Sequence, residues 1–276
     1  MKICAKYLLI NLFCLIIWAS WLTSVSAASQ RLIVTGSSTV APLMSEIARR
    51  FELQYPEVRI DVQTGGSSRG INDVRRGIAD IGMVSRALKP NENDLHAFSI
   101  AMDGIGIIVH ANNPVISLNS QQIADIYTGK ITHWKSVGGP NARITVVNKA
   151  EGRSTLELFL DYLQLKNSAV KPHIIIGDNT QGIKTVTGNP HAIGYVSIGA
   201  AAYEAQRGAP IRLLALNGVT ASVENVYSGI FPLSRPLNLI TPRVPQGLIR
   251  AFIEFARSSQ LHHLIEAHYF VPIDTD

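Results

Sequence analysis

The sequence predicts an α/β protein with mainly parallel sheets. Three observations carry that reading. Short apolar strands alternate with amphipathic helices, Gly/Ser/Thr-rich turns stand between a strand and the helix after it, and no repeat or low-complexity segment breaks the pattern. Residues 31–35 read as the first strand. Residues 40–55 follow as a helix, with Val40, Leu43, Met44, Ile47, Ala48 and Phe51 on one face. Pro42 falls in its first turn, where the missing N–H costs nothing. Residues 58–63 alternate Val58, Ile60 and Val62 as a strand, and 71–76 make a short helix stopped by Gly77. Residues 81–84, 105–110, 144–148 and 174–176 are further apolar strands, and 246–268 reads as helical.

The N-terminus predicts export. Lys2 and Lys6 precede a mostly apolar stretch at 8–22, and Val25-Ser26-Ala27 supplies the small residues read by a signal peptidase. Residues 1–27 are therefore expected to be a cleaved signal peptide, with a periplasmic mature chain. The apolar run is short for a spanning helix and ends without a basic stop. Phe13 before Cys14 argues against a lipid anchor. Both cysteines, Cys4 and Cys14, lie in this segment, so the mature chain offers no disulfide, thiol chemistry or cysteine metal site. Roughly 250 residues remain, room for one large or two modest domains.

Composition excludes several classes. Two of the 25 lysines and arginines leave with the signal, and the small remaining excess over 20 acidic residues forms no basic run. Nothing here points to nucleic acid. No histidine/carboxylate cluster has metal-ligand spacing, and no cofactor motif is present. Trp134 and Tyr127 are expected in the core.

Chemistry concentrates in three turns: Gly36-Ser37-Ser38-Thr39-Val40, Gly65-Gly66-Ser67-Ser68-Arg69-Gly70, and Glu151-Gly152-Arg153-Ser154-Thr155. A helix start exposes unpaired N–H groups and a partial positive charge, so an anion fits there. Glycine admits the ligand to the backbone and each hydroxyl adds a donor. Plain capping explains any one turn alone, and Ser154 with Glu157 has capping-box spacing. Three such turns, two with an internal arginine, favour a binding site. Residues 66–70 also fit G-x-S-x-G, which raises a serine hydrolase using Ser68. Only about forty mature residues precede Ser68, no His-Gly-Gly oxyanion segment is visible, and none of the eight histidines has a distinctive setting. Residues 177–185 resemble a P-loop, but one residue too many separates Gly182 from Lys184.

The segments 36–43 (GSSTVAPL), 65–70, 80–86 (DIGMVSR), 122–134 (QIADIYTGKITHW), 192–197 (AIGYVS) and 231–241 (FPLSRPLNLIT) resemble, in order and spacing, the phosphate-binding subunit of bacterial ABC phosphate importers. The resemblance implies a type II periplasmic-binding-protein fold, with two α/β lobes joined by two crossover strands and the ligand cleft between them. It places lobe 1 at 28–108 and 236–276 and lobe 2 at 109–235, with the C-terminal helices packed on lobe 1. It implies a non-enzymatic monomer that captures phosphate or a similar oxyanion and delivers it to an inner-membrane ABC permease. An anion sensor of the same fold is the alternative role. Carried over by position, Thr39, the backbone of Val40, Ser67, Ser85, Lys149, Arg153, Ser154 and Thr155 face the anion, with Ser38, Arg69 and Arg86 as additional candidates. Two positions depart from the family. Ser85 stands where many members have an aspartate that accepts phosphate's proton, and Lys149 where they have an arginine. Arg153 is then expected to take over the bidentate role, and selectivity against sulfate is expected to be weaker.

Overall fold

The computed structural model describes residues 30–273. The expected signal peptide lies outside these residues. Twelve strands and nine α-helices follow one another among them. The strands are β1 (Gln30–Gly36), β2 (Val58–Thr64), β3 (Ile81–Val84), β4 (His96–His110), β5 (Ser117–Leu118), β6 (Thr145–Lys149), β7 (Ile174–Ile176), β8 (Ala192–Ser197), β9 (Ile211–Leu213), β10 (Ala215–Leu216), β11 (Ser234–Thr241) and β12 (Val271–Pro272). The helices are α1 (Ala41–Gln54), α2 (Ser67–Arg75), α3 (Ser120–Tyr127), α4 (Ser154–Tyr162), α5 (Asn179–Thr187), α6 (Ile198–Gln206), α7 (Val223–Tyr227), α8 (Gly247–Ala256) and α9 (His262–Ala267).

The main sheet runs β2-β1-β3-β11-β4-β8-β6-β7, with β9 and β12 paired to β4. Strand β1 is parallel to β2 and β3, and β6 is parallel to β7 and β8, as crossover helices require. The long strand β4 joins the two parallel groups. Its first part pairs antiparallel with β11, from His96 opposite Thr241 to Gly104 opposite Ser234, and its second part pairs with β8. Hydrophobic packing divides at the same place. One set of buried clusters draws on residues up to Ala101 and from Leu237 onward, and the other spans Ile105 to Leu233 with Val271. Two cores therefore share one pair of linking strands.

Helix α1 buries the face expected of it, Leu43, Met44, Ile47, Ala48 and Phe51. Phe252 and Phe255 of α8 meet the Phe51 ring edge-on at 5.3 and 5.2 Å, seating the C-terminal helices on the first core. Trp134 and Tyr127 are fully buried in the second core. Three boundaries differ from the sequence reading. The strand expected at 105–110 begins at His96, because Ser99 and Asp103 are satisfied by Asn238 and Arg235 of β11 and interrupt only the sequence pattern. The helix expected at 71–76 begins at Ser67, directly after Gly66 at φ 96°. The C-terminal helix is two, separated by a 3₁₀ turn at Ser259–Leu261. Strand β7 closes one edge of the sheet, which leaves Ile174 and Ile175 exposed.

Candidate functional site

Strands β1, β2 and β3 of one parallel group and β6 of the other end toward one crevice, the place where open α/β sheets hold ligands. Glycine makes two of the exits. Gly36 ends β1 at φ 134° against the Met83 carbonyl, where any Cβ would collide, and the chain turns through Ser37, Ser38 and Thr39 into α1. Gly66, at φ 96°, lies against the Gly152 carbonyl and the Arg153 guanidinium, and Ser67 opens α2. Ser85 follows β3. Lys149 ends β6, and residues 150–153 lead into α4 at Ser154.

These exits line a small, partly open cavity formed by Ser37, Ser38, Thr39, Gly66, Ser67, Ser85, Lys149, Arg153, Ser154 and Thr155. It brings together seven of the eight residues named as anion contacts, and Ser38 with them. The eighth, Val40, named for its backbone, is not among the lining residues; its side chain is buried in the first core. No carboxylate and no histidine is among the lining residues. Two polar atoms there, Arg153 Nε and Ser154 Oγ, are buried without a protein partner. The capping box proposed for Ser154 and Glu157 is not formed: Arg153 occupies the cap position without a side-chain bond, and Glu157 pairs elsewhere. Such orphaned donors at a helix start are what an anion satisfies.

Behind the cavity lies a residue the sequence reading did not assign. Arg235 of β11 is 1% exposed and stands opposite Asp103 of β4 in the strand register. Its Nε and Nη2 donate to Asp103 Oδ2 at 3.2 and 2.9 Å. Nη1 also donates to Thr155 Oγ1 at 2.9 Å and Ser85 Oγ at 3.3 Å, and Nη2 to Thr39 Oγ1 at 3.3 Å. Ser197 O–H and the Gly199 N–H donate to Asp103 Oδ1, so the carboxylate is fully engaged. The one signal in sequence was an arginine opening an otherwise apolar strand.

Asn179, at the start of α5, also enters the network. Its Oδ1 accepts from Lys149 Nζ at 2.8 Å and its Nδ2 donates to Thr39 Oγ1 at 3.2 Å. The segment discounted as a P-loop thus reaches the cavity through its asparagine. Burial, together with the nearby positive charges of Arg235 and Arg153, lowers Lys149 from 10.5 to about 7, against the opposing pull of Asp178.

Arg69 and Arg86 do not line the cavity. Arg69 pairs with Asp73 and donates to Gln63 and the Thr64 carbonyl. Arg86 makes a two-pronged pair with Glu92 and reaches Glu157 of α4 at 3.1 Å, where Lys89 joins it at 2.6 Å. With the Ser68 N–H donating to the Gly152 carbonyl at 3.3 Å and the Thr39–Asn179 bond, these contacts tie the two cores across the crevice. Among the described residues no group of His, Cys, Asp or Glu is disposed to hold a metal, and no helix is long and apolar enough to cross a membrane.

Residues 23–260 match the family described as the PBP superfamily domain. A putative phosphate ABC transporter substrate-binding protein from Clostridium perfringens, solved with bound phosphate, superposes with a TM-score of 0.81 at 33% identity, covering 89% of this chain and 100% of that one. An ABC-type phosphate transport receptor from Vibrio cholerae gives 0.73 at 30% identity, covering 88% of this chain and 100% of that one. The phosphate-binding protein PstS of Bacillus subtilis is 27% identical over 89% of this chain and 82% of its own length.

Proposed function

This chain belongs to the PBP superfamily, and from that premise we propose that it captures inorganic phosphate or a related oxyanion without chemical turnover and delivers it to an ABC importer. One observation carries the reading: a small cavity of serine and threonine hydroxyls with Lys149 and Arg153, no carboxylate, and buried donors left unpaired. Tetrahedral anions need such a shell, because each donor removed from water must find an acceptor.

The anion is held by Thr39, Ser67, Ser85, Lys149, Arg153, Ser154 and Thr155. Lobe 1 comprises 28–108 and 236–276 and lobe 2 comprises 109–235. β4 and β11 are the hinge, and the bonds across the crevice are those of the closed clamp. Export by a cleaved signal at 1–27 delivers a monomer to the periplasm, where the closed form docks on a membrane permease. Calorimetric titration of the ligand-stripped protein with phosphate tests this. Binding at micromolar affinity or better is expected, and Arg153→Ala should weaken it by about 2–5 kcal/mol, more than Lys149→Ala does. No heat with wild type, or equal small losses for both variants, would refute the site.

A further inference from the structure

We propose that Arg235 is the positioning residue that sets the hydrogen-bond polarity of the cavity, turning its hydroxyl protons toward the ligand so that the site accepts a proton-free tetrahedral dianion, sulfate-like, alongside phosphate. The proposal rests on the reading of this cavity as the anion site.

Each hydroxyl is an acceptor and a donor at once, and which role faces the ligand depends on what the protein does with the oxygen. Arg235 donates to the oxygens of Thr39, Ser85 and Thr155 from the side away from the cavity. Thr39 receives a second donor, Asn179 Nδ2, and the direction of that amide is fixed because its oxygen faces the Lys149 ammonium. Both lone pairs of Thr39 are then occupied, and only its proton is left to offer. The same bias holds at two serines without Arg235: Ser67 Oγ accepts from the Ser85 N–H and Ser37 Oγ from the Thr39 N–H, each at 3.2 Å. None of these hydroxyls donates to a described protein acceptor, so their protons face the cavity.

A protein that prefers phosphate to sulfate must offer an acceptor to phosphate's remaining proton. Here Asp103, the carboxylate behind the cavity, is fully engaged by Arg235, Ser197 and Gly199. Glu151 is exposed and bonded to Asn167. Lys149, the one lining group with a basic lone pair, is drawn to its protonated form by a bound dianion and then offers no acceptor either. A P–OH group entering the shell therefore meets protons on most sides, whereas a dianion with four bare oxygens gains from all of them.

The test is competition calorimetry with inorganic phosphate and sulfate on the full mature protein from pH 6 to 8. Sulfate is expected within about tenfold of phosphate at neutral pH, with phosphate gaining on sulfate as it loses protons. Arg235→Lys keeps Asp103 paired, but one ammonium cannot hold three hydroxyls. The freed oxygens should raise the phosphate-to-sulfate ratio about tenfold or more, the worth of one hydrogen bond to a charged partner. A purely structural arginine would weaken both anions alike, and that result overturns the proposal. So does a wild type that binds phosphate but rejects sulfate by more than about a thousandfold; this measurement decides if Arg235→Lys fails to fold. Failure of both anions to bind, with Arg153→Ala indistinguishable from wild type, would instead remove the proposed function itself.

Discussion

With Lys149 facing the proposed anion site, capture is expected to be a proton-coupled event. The lysine ammonium titrates near 7 rather than 10.5, because burial and the charges of Arg235 and Arg153 disfavour the charged form. A bound dianion reverses that balance and draws the group back to its protonated state. At pH 8.5 the free lysine is almost wholly neutral, so binding must take up close to one proton. That protonation costs about 2 kcal/mol, roughly a thirtyfold loss of affinity relative to a lysine already protonated. Phosphate is already almost entirely dianionic at pH 8.5, so the proton belongs to the protein. Titration in buffers of different ionisation enthalpy reads it directly. Near one proton per ligand is expected for wild type and close to zero for Lys149→Met. Uptake near zero in wild type would refute the coupling. The sign for folding follows from the same shift. The folded pKa lies below the unfolded one, so between pH 7 and 10.5 the unfolded chain holds more protons and stability of the free protein rises with pH. Below about 7 that contribution is lost.

Two further perturbations act on closure rather than on the anion. Glu157→Gln removes the carboxylate shared by Arg86 and Lys89 while Arg86 keeps Glu92, so affinity should fall by about 1 kcal/mol, mainly through faster release measured by stopped flow; an unchanged release rate would mean that the pair does not latch the clamp. Gly66→Ala places a methyl group against Gly152 and Arg153 at φ 96° and should weaken binding at least tenfold while lowering stability by about 1–3 kcal/mol. Wild-type affinity with a loss of melting temperature would place the clash within the first lobe instead.

What could be read from the residues was what short-range chemistry encodes. Gly36, Ser37, Ser38 and Thr39 sit together at a strand–helix junction, and so do Gly66 with Ser67 and Arg153 with Ser154 and Thr155. Each run carries its own turn geometry and its own donors, and all three line one cavity. Long-range pairing was not encoded locally. Arg235 and Asp103 are 132 residues apart and meet only through the register of β4 with β11, and Lys149 finds Asn179 only once α5 docks. The arginines inside the motifs show the same limit. Arg69 and Arg86 have the composition of site residues, but available carboxylates, Asp73 for one and Glu92 with Glu157 for the other, take their charge. Ser154 and Glu157 have capping-box spacing, and the distant Arg86 and Lys89 override it.

The buried pair at the linking strands is costly, because removing two charges from water loses several kcal/mol per ion before attraction returns any of it. Arg235 and Asp103 are nevertheless almost completely enclosed. Their partners explain the arrangement better than stability does. Thr39 and Ser85 come from the first lobe and Thr155 from the second, and all three converge on one guanidinium anchored to the two strands the lobes share. In the proposed clamp motion, rotation of the lobes about those strands leaves the Arg235–Asp103 pair intact, because both residues sit on the strands proposed as the hinge. It withdraws Thr155 from Arg235 and Asn179 from Thr39, and so dismantles the donor shell. On that proposal the oriented hydroxyls exist as a set only when the clamp is shut. An anion that needs all of them stabilises the shut state by as much as it gains from the complete set over the partial one, which is the differential affinity that drives closure.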